Sequence, residues 1–367
     1  MSGWQVDRVA VLPGWPSGVA VTGSGRVFVS APQHDQPAHM PTVVEIVDGT
    51  VQPLDPATTQ GLTSAQGLRA GPDETLYAPD SGVRALTGID SERAGLWAID
   101  VATATVTRRY TFPTGVALPT TYLNDLTVDQ ARGVAYLVDA GGQEPHGLIR
   151  LDLDTGASRR LLHDHPSVRA AASPRPGGIL VAGAPLSPDD PAQVGATGIT
   201  FGGDHELFWN RADELFSIDL EVLDSGDPHD IDAAIVSWPP RPFASDGLDR
   251  DAFGRVLLTD LANSGVQRLD PATGRYELLT TDPAISWPDG VCARWHCLRH
   301  IQPDPPQHHV QRTRHPTTTV RRLPPPPRPG QRPTPEAEPV AVDDPSAVGV
   351  GNERCPSAAR HRPDNHK

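Results

Sequence analysis

The feature that most constrains this chain is a spacing. In "PSGVAVTGSGRVFVS" Gly18 stands ten residues before Phe28, and the same interval separates Gly67 from Tyr77, Gly198 from Phe208 and Gly247 from Leu257. "LNDLTVDQARGVAYLVD" fits the pattern with Asp125 in the glycine slot, and "WPDG" at 287–290 opens a sixth copy. Successive copies lie 49, 58, 73, 49 and 43 residues apart. A period near 50 means one supersecondary unit used many times over.

Each copy reads as a short alternating strand, a Gly/Asp turn and a second strand, the two-residue period of a half-buried hairpin. A second hairpin follows in "GLWAIDVATATVTRRY", "GLIRLDLDTGASRRLL" and "GVQRLDPATGRYELL", each with an Asp and a Thr-Gly or Thr-Ala turn between its arms. Two hairpins make a four-stranded sheet. Six such sheets around a channel make a six-bladed β-propeller, which hides its flat faces against neighbouring blades. A β-sandwich with a second β-domain would leave the repeat unexplained. The stretch "WQVDRVAVL" at 4–12 alternates but has no hairpin of its own, and is expected to close blade six as its outer strand.

Charge divides the chain at the sixth copy. Formal net charge is −14, yet residues 1–290 carry −19 and residues 291–367 carry +5. An acidic body excludes nucleic acid as its partner. All 7 Phe and all 5 Tyr precede residue 291, whereas 15 of the 40 Pro follow Gly290. We therefore read 1–290 as the propeller and 291–367 as a Pro/Arg-rich tail expected to be disordered. No apolar run is long enough for a membrane span, and the written N-terminus lacks a signal peptide. The expectation is a monomeric cytoplasmic protein, with secretion as the alternative.

The blocks "YLNDLTVD" (122–129), "AYLVDAG" (135–141) and "GLIRLDLDTGASRRLLHDHPSV" (147–168) resemble a bacterial member of the yellow and major royal jelly protein family. "FPTGVALPTTYLND" (112–125), "ASDGLDRDAFGRVLLTD" (244–260) and "DPAISWPDG" (282–290) extend the resemblance over roughly residues 10–290. It implies a six-bladed propeller and, since the family is functionally diverse, no single activity. A more distant resemblance is to gluconolactonases. It implies a divalent metal (Ca, Zn or Mn) held by a blade-one Glu, an Asn before a later repeat glycine, and an Asp in a Pro-Asp-Gly type motif. Asp246 matches the last, and Asn124 with Asp125 resembles a substrate-side Asn-Asp pair; Ser17 and Thr197 stand where the other two ligands would be.

The residue before each repeat glycine falls where an inner strand starts, at the mouth of the central channel. Those residues are Ser17, Gln66, Asn124, Thr197, Asp246 and Asp289, and with Asp125 they form the candidate ligand-binding set. Small polar and acidic groups on one axis suit a small polar or cationic molecule; capping of local turns is the competing role for Asn and Asp. The main expectation is a binding protein that needs no cofactor. The alternative is a metal-dependent lactone hydrolase. His163 and His165 in "LLHDHPSV" could form a metal pair, but the spacing suits a solvated loop better. No phosphate loop and no G-x-S-x-G elbow are present.

"VCARWHCLRH" at 291–300 puts Cys292, Cys297, His296 and His300 close together, superficially a zinc site, but its flanks are Pro-rich and only Cys355 remains to join it. A shifted reading frame explains the stretch better. Permitted codons for residues 291–323, read one nucleotide later, can encode "PDGTAYVTSS" and a closing motif of the yellow type, which is the strand pair the sixth copy lacks. Sequencing the gene across codons 286–295 is expected to show one inserted or deleted nucleotide; an intact frame in the genomic and transcript sequences would refute this.

Overall fold

A computed structural model of the protein describes residues 4, 6–33, 41–82, 94–141, 145–170, 195–203, 205–285 and 287–293. It also gives the backbone of short strands at 180–181, 184–185, 297–299 and 318–322. Strands form where alternation and β-branched residues coincide. The first sheet pairs Val19–Val21, Val27–Ser30, Val43–Val47 and Thr50–Pro53 in chain order. The second uses Arg69–Ala70, Thr75–Asp80, Gly95–Asp100 and Thr105–Thr111, and the third Leu123–Asp129, Val134–Asp139, Gly147–Asp152 and Ser158–Leu161. The fifth uses Leu248–Arg250, Val256–Asp260, Gly265–Asp270 and Arg275–Thr281.

An Asp sets the turn of the outer hairpin in the second, third and fifth sheets. Asp100 Oδ1 accepts from the Ala102 and Thr103 amides, Asp152 Oδ1 from Thr155 and Asp270 Oδ1 from Ala272, at 2.7–3.2 Å. A short side chain that mimics a backbone acceptor makes the turn local and cheap to form.

The fourth sheet, Ile199–Gly202, Glu206–Arg211, Glu214–Asp219 and Val236–Ser237, carries an insertion before its outer strand. Helices Leu220–Ser225 and Pro228–Ala234 occupy it, capped by the Asp219 and Asp227 carboxylates, with Pro228 in the first turn and Gly226 left-handed at φ 79°. They are the only helices among the described residues, and neither is long enough to cross a membrane.

A further four-stranded sheet runs Asp7–Leu12, Thr318–Arg322, Cys297–Arg299 and Val291–Cys292. Three of these strands fall in the segment read as a disordered tail, and Asp7–Leu12 is the edge strand of the sheet. Val291 and Cys292 are buried, and Asp7 to Leu12 pair antiparallel with Arg322 to Thr318. The physical reason is that an edge strand offers a row of unpaired N–H and C=O groups, and an alternating segment such as "TTVRR" satisfies them whatever its side chains. Beyond Ala293 and these strands, the rest of 291–367 lies outside the described residues.

Innermost strands touch in cyclic order, first to second and onward, with Val291–Cys292 against both Leu248–Arg250 and Val19–Val21. Sheets stacked face to face around one axis make a β-propeller. Apolar side chains fill each junction. Phe28, Leu68, Leu76, Trp97 and Ile99 lie between the first and second sheets, and Tyr136, Trp209, Phe216 and Ile218 between the third and fourth. Trp209 is fully buried, stacked on Phe216 at 5.9 Å, and its Nε1–H donates to Ser167 O at 3.1 Å. Burying a side chain of that kind stabilises by roughly 1.5–3 kcal/mol.

The repeat glycines sit where inner strands approach most closely. A Cβ on Gly198 would lie 2.3 Å from Asp246 O, one on Gly247 2.3 Å from Asp289 O, and one on Gly290 2.5 Å from Ser17 O. Likewise Gly18 would meet Leu68 N at 2.5 Å, and Gly67 would meet Asp125 Oδ1 at 2.5 Å. Each glycine therefore packs on the start of the next copy, and the last packs on the first. Gly198→Ala should lower stability by about 1–3 kcal/mol through overpacking against backbone, read as a lower urea midpoint at unchanged slope; an unchanged midpoint would show that the ring can relax.

Candidate functional site

The loops leading into the inner strands are fixed before the mouth is built. Buried Asp139 accepts from the Tyr122 amide at 2.8 Å, Thr121 Oγ1 at 2.7 Å and Arg160 Nη1 at 2.7 Å, which holds "TYLND" in place. Asp80 does the same for the Thr63 and Ser64 amides at 2.8 and 2.9 Å. The repeat glycine amides are pinned by side chains twelve residues on: Gly18 N–H donates to Ser30 Oγ at 2.6 Å, Gly198 to Asn210 Oδ1 at 2.7 Å, and Gly247 to Thr259 Oγ1 at 3.2 Å.

On that frame Ser17, Asn124, Asp125, Thr197, Asp246 and Asp289 converge on one narrow cavity of about 20 Å³. Bonds run around its rim from sheet to sheet. Ser17 Oγ donates to Asp289 Oδ1 at 3.5 Å, Asn124 Nδ2 to Thr197 O at 3.3 Å, and Thr197 Oγ1 to Asp246 O at 3.2 Å. A space of that size holds one water or one ion-sized group.

Gln66 does not line this cavity. Its Oε1 accepts from the Tyr122 hydroxyl at 2.7 Å. Tyr122 itself was not singled out by the repeat, because it sits two residues before Asn124 rather than one before a glycine. Burial, and then the charges of Asp289 and Asp246, push its phenol well above the ordinary range, so it stays the protonated donor to Gln66 Oε1.

Arg69 is the second residue that the sequence reading passed over. Its Nη2 donates to Asp125 Oδ2 at 3.1 Å, Ile199 O at 3.3 Å and Leu248 O at 2.6 Å, and Nη1 to Leu68 O at 3.2 Å. One guanidinium thus ties four inner strands together across the channel. The available signal was an Arg two residues after a repeat glycine, where the other copies have Ala20, Thr127, Thr200, Asp249 and Cys292. Below it the channel opens into a chamber of about 670 Å³.

His163 and His165 turn to different partners. His163 Nδ1 accepts from Arg160 Nε at 3.0 Å, while His165 contacts Ser167 Oγ at 2.8 Å and Asp232 Oδ1 at 2.9 Å. Among the described residues no three His, Cys, Asp or Glu gather as a metal cluster. His296, Cys297, His300 and Cys355 fall outside the described side chains.

Asp125 supplies a pH test. Burial pushes its carboxyl up to about 6 although Arg69 pulls it back. The ordinary value is about 3.9, so the folded state holds an extra proton between roughly pH 4 and 6, and stability from this group falls as pH rises through that window. Relative to Asp125→Asn, the natural protein should lose on the order of 1–3 kcal/mol between about pH 4 and pH 7, measured by urea melts; a gap independent of pH would contradict the assignment.

Comparison with known proteins follows the geometry. The major royal jelly protein family matches residues 63–235, the span holding Gln66, Arg69, Tyr122, Asn124, Asp125 and Thr197. No curated protein sequence matches. Among solved structures, a gluconolactonase from Xanthomonas campestris superposes with TM-score 0.53 at 15% identity, covering 88% of this chain and 90% of its own. A putative gluconolactonase gives TM-score 0.54 at 13% identity over 88% and 93%. The chain is similar to the major royal jelly proteins over 63–235, and its fold is the propeller of the gluconolactonases.

Proposed function

We propose that the protein binds a small polar or cationic molecule at the narrow mouth of its channel. The observation that carries this is the convergence of Asp246, Asp289, Asn124, Ser17 and Thr197 on one ion-sized cavity. A primary ammonium fits that chemistry: it is the size of the cavity and donates three hydrogen bonds, and carboxylates, a carboxamide and hydroxyls can accept them. The body of such a ligand would rest outside the constriction.

The gluconolactonase likeness raises a metal-dependent lactone hydrolase as the second reading. The donor set does not fit the cage that this likeness implies, since Ser17 and Thr197 offer hydroxyls where a carboxylate and a carboxamide belong. Thr197 Oγ1 is moreover engaged by Asp246 O.

We extend the same reading to the architecture: six blades, with the sixth complete only when the frame after Gly290 is restored. Supporting it are the sixth "WPDG" copy, the loss of all Phe and Tyr beyond it, and an inner strand Val291–Cys292 only two residues long.

The test is calorimetric titration with primary amines and their matched alcohols. Asp246→Asn and Asp289→Asn should each weaken amine binding by about 1–3 kcal/mol, the scale of a lost charged hydrogen bond. Amine binding that survives both changes would refute the site. Lactone hydrolysis stimulated by calcium, zinc or manganese would favour the second reading.

A further inference from the structure

We propose that the wide chamber below Arg69 is a separate ligand site, for a small dipolar ion with an ammonium group at one end and a carboxylate at the other. The glycine layer, where inner strands leave no room for a Cβ, separates this chamber from the mouth. It does not depend on the mouth reading.

The chamber, about 670 Å³, is in the size range of small-molecule sites. Its charged lining residues are Arg69, Asp249, Arg250 and Asp251. Two of them are already matched: Arg69 pairs with Asp125 at 3.1 Å, and Asp251 with Arg255 at 2.6 Å. Asp249 and Arg250 enter no ion pair among the described residues. The chamber therefore keeps one unmatched charge of each sign.

Both charges are anchored by other residues of the same wall. Asp249 Oδ2 accepts from the Ala293 amide at 2.7 Å, and Oδ1 has no partner among the described residues. The Arg250 guanidinium stands 6.0 Å over the Phe201 ring and its Nη1 donates to Gly203 O, which leaves Nε and Nη2 without partners among the described residues. Ala293, Phe201 and Gly203 all line the chamber, so these contacts keep both groups at its wall.

Depth orders the two ends. Asp249 is the second residue after Gly247, in the same layer as Thr127 and Thr200, and is half-buried; Arg250, one residue farther along the strand, is exposed. An ammonium group entering first donates to Asp249 Oδ1, with the threonine hydroxyls of that layer as further acceptors, and the carboxylate behind it accepts from the guanidinium.

Charge narrows the class. A neutral ligand strips water from both groups and pairs neither. An amine leaves Arg250 unmatched and adds a like charge beside it, and a carboxylic acid does the same to Asp249. A dipolar ion matches both and adds no net charge.

The test is ligand-observed NMR titration of the whole chain with glycine, 4-aminobutanoate and 6-aminohexanoate, which differ only in the separation of their charges, and with butylamine and butanoate as single-charge controls. The chain carries Asp246→Asn and Asp289→Asn, so that amine binding at the mouth does not contribute. At least one dipolar ion should bind saturably, and both controls on the order of tenfold more weakly. Arg250→Gln should erase its preference over butylamine and keep that over butanoate; Asp249→Asn should do the reverse. Loss of one selectivity without the other is a readout that damage to the fold does not give. The proposal is overturned if no dipolar ion saturates, if either control binds as tightly, or if both preferences survive or fall together in either variant.

Discussion

The structure depends on one constraint: inner strands approach so closely at the repeat glycines that no side chain fits between them. With a neighbouring carbonyl 2.3 Å from where a Cβ would sit at Gly198 and Gly247, the contact is backbone on backbone. That closeness fixes the diameter of the channel and, with it, the angle at which successive sheets meet. The apolar junctions then supply most of the free energy, because each sheet presents a flat buried face at the spacing the glycines impose. Pinning of the Gly18, Gly198 and Gly247 amides by Ser30, Asn210 and Thr259 holds the same layer from behind.

Much of this was legible in the chain, because a period of ten inside a period near fifty admits few architectures. Outer hairpins such as 95–111 and 147–161 stand where alternation placed them, and the mouth residues Asn124, Asp246 and Asp289 do share a cavity. Tyr122 and Arg69 were not legible, for different reasons. Tyr122 reaches Gln66 from a loop whose amide is held by Asp139, fourteen residues past Asp125, a tertiary effect that no local pattern encodes. Arg69 lies in the alternating register of a strand, where a lone charge reads as solvent-facing until the channel is built around it. The pairing of Thr318–Arg322 with Asp7–Leu12 was hidden too, since backbone satisfaction ignores side-chain identity.

The constriction also sorts chemistry along the axis. Above it, residues at the strand starts are small, polar and acidic, and the space admits only an ion-sized group. Below it, the second residue of each strand projects inward where the chamber has widened, and longer side chains such as Arg69 can be housed. A single layer of missing side chains thus lies between two spaces of very different size within a few residues of one another.

Asp125 shows how strict that layer is. It is the one copy where the ring position carries a side chain, and the carboxylate survives there only because it is engaged on both oxygens: Oδ1 accepts from the Leu126 amide at 2.8 Å and Oδ2 from Arg69 at 3.1 Å. Neither partner stands alone. Glycine at 125 would strip a buried guanidinium of its counter-charge, and alanine at 69 would strand a buried carboxylate, the situation in which breaking an ion pair costs more than never having had it. The two positions therefore behave as one unit. The third copy's departure from the repeat and the second copy's unexpected arginine are a single feature, seen twice in the sequence because the pair spans two blades.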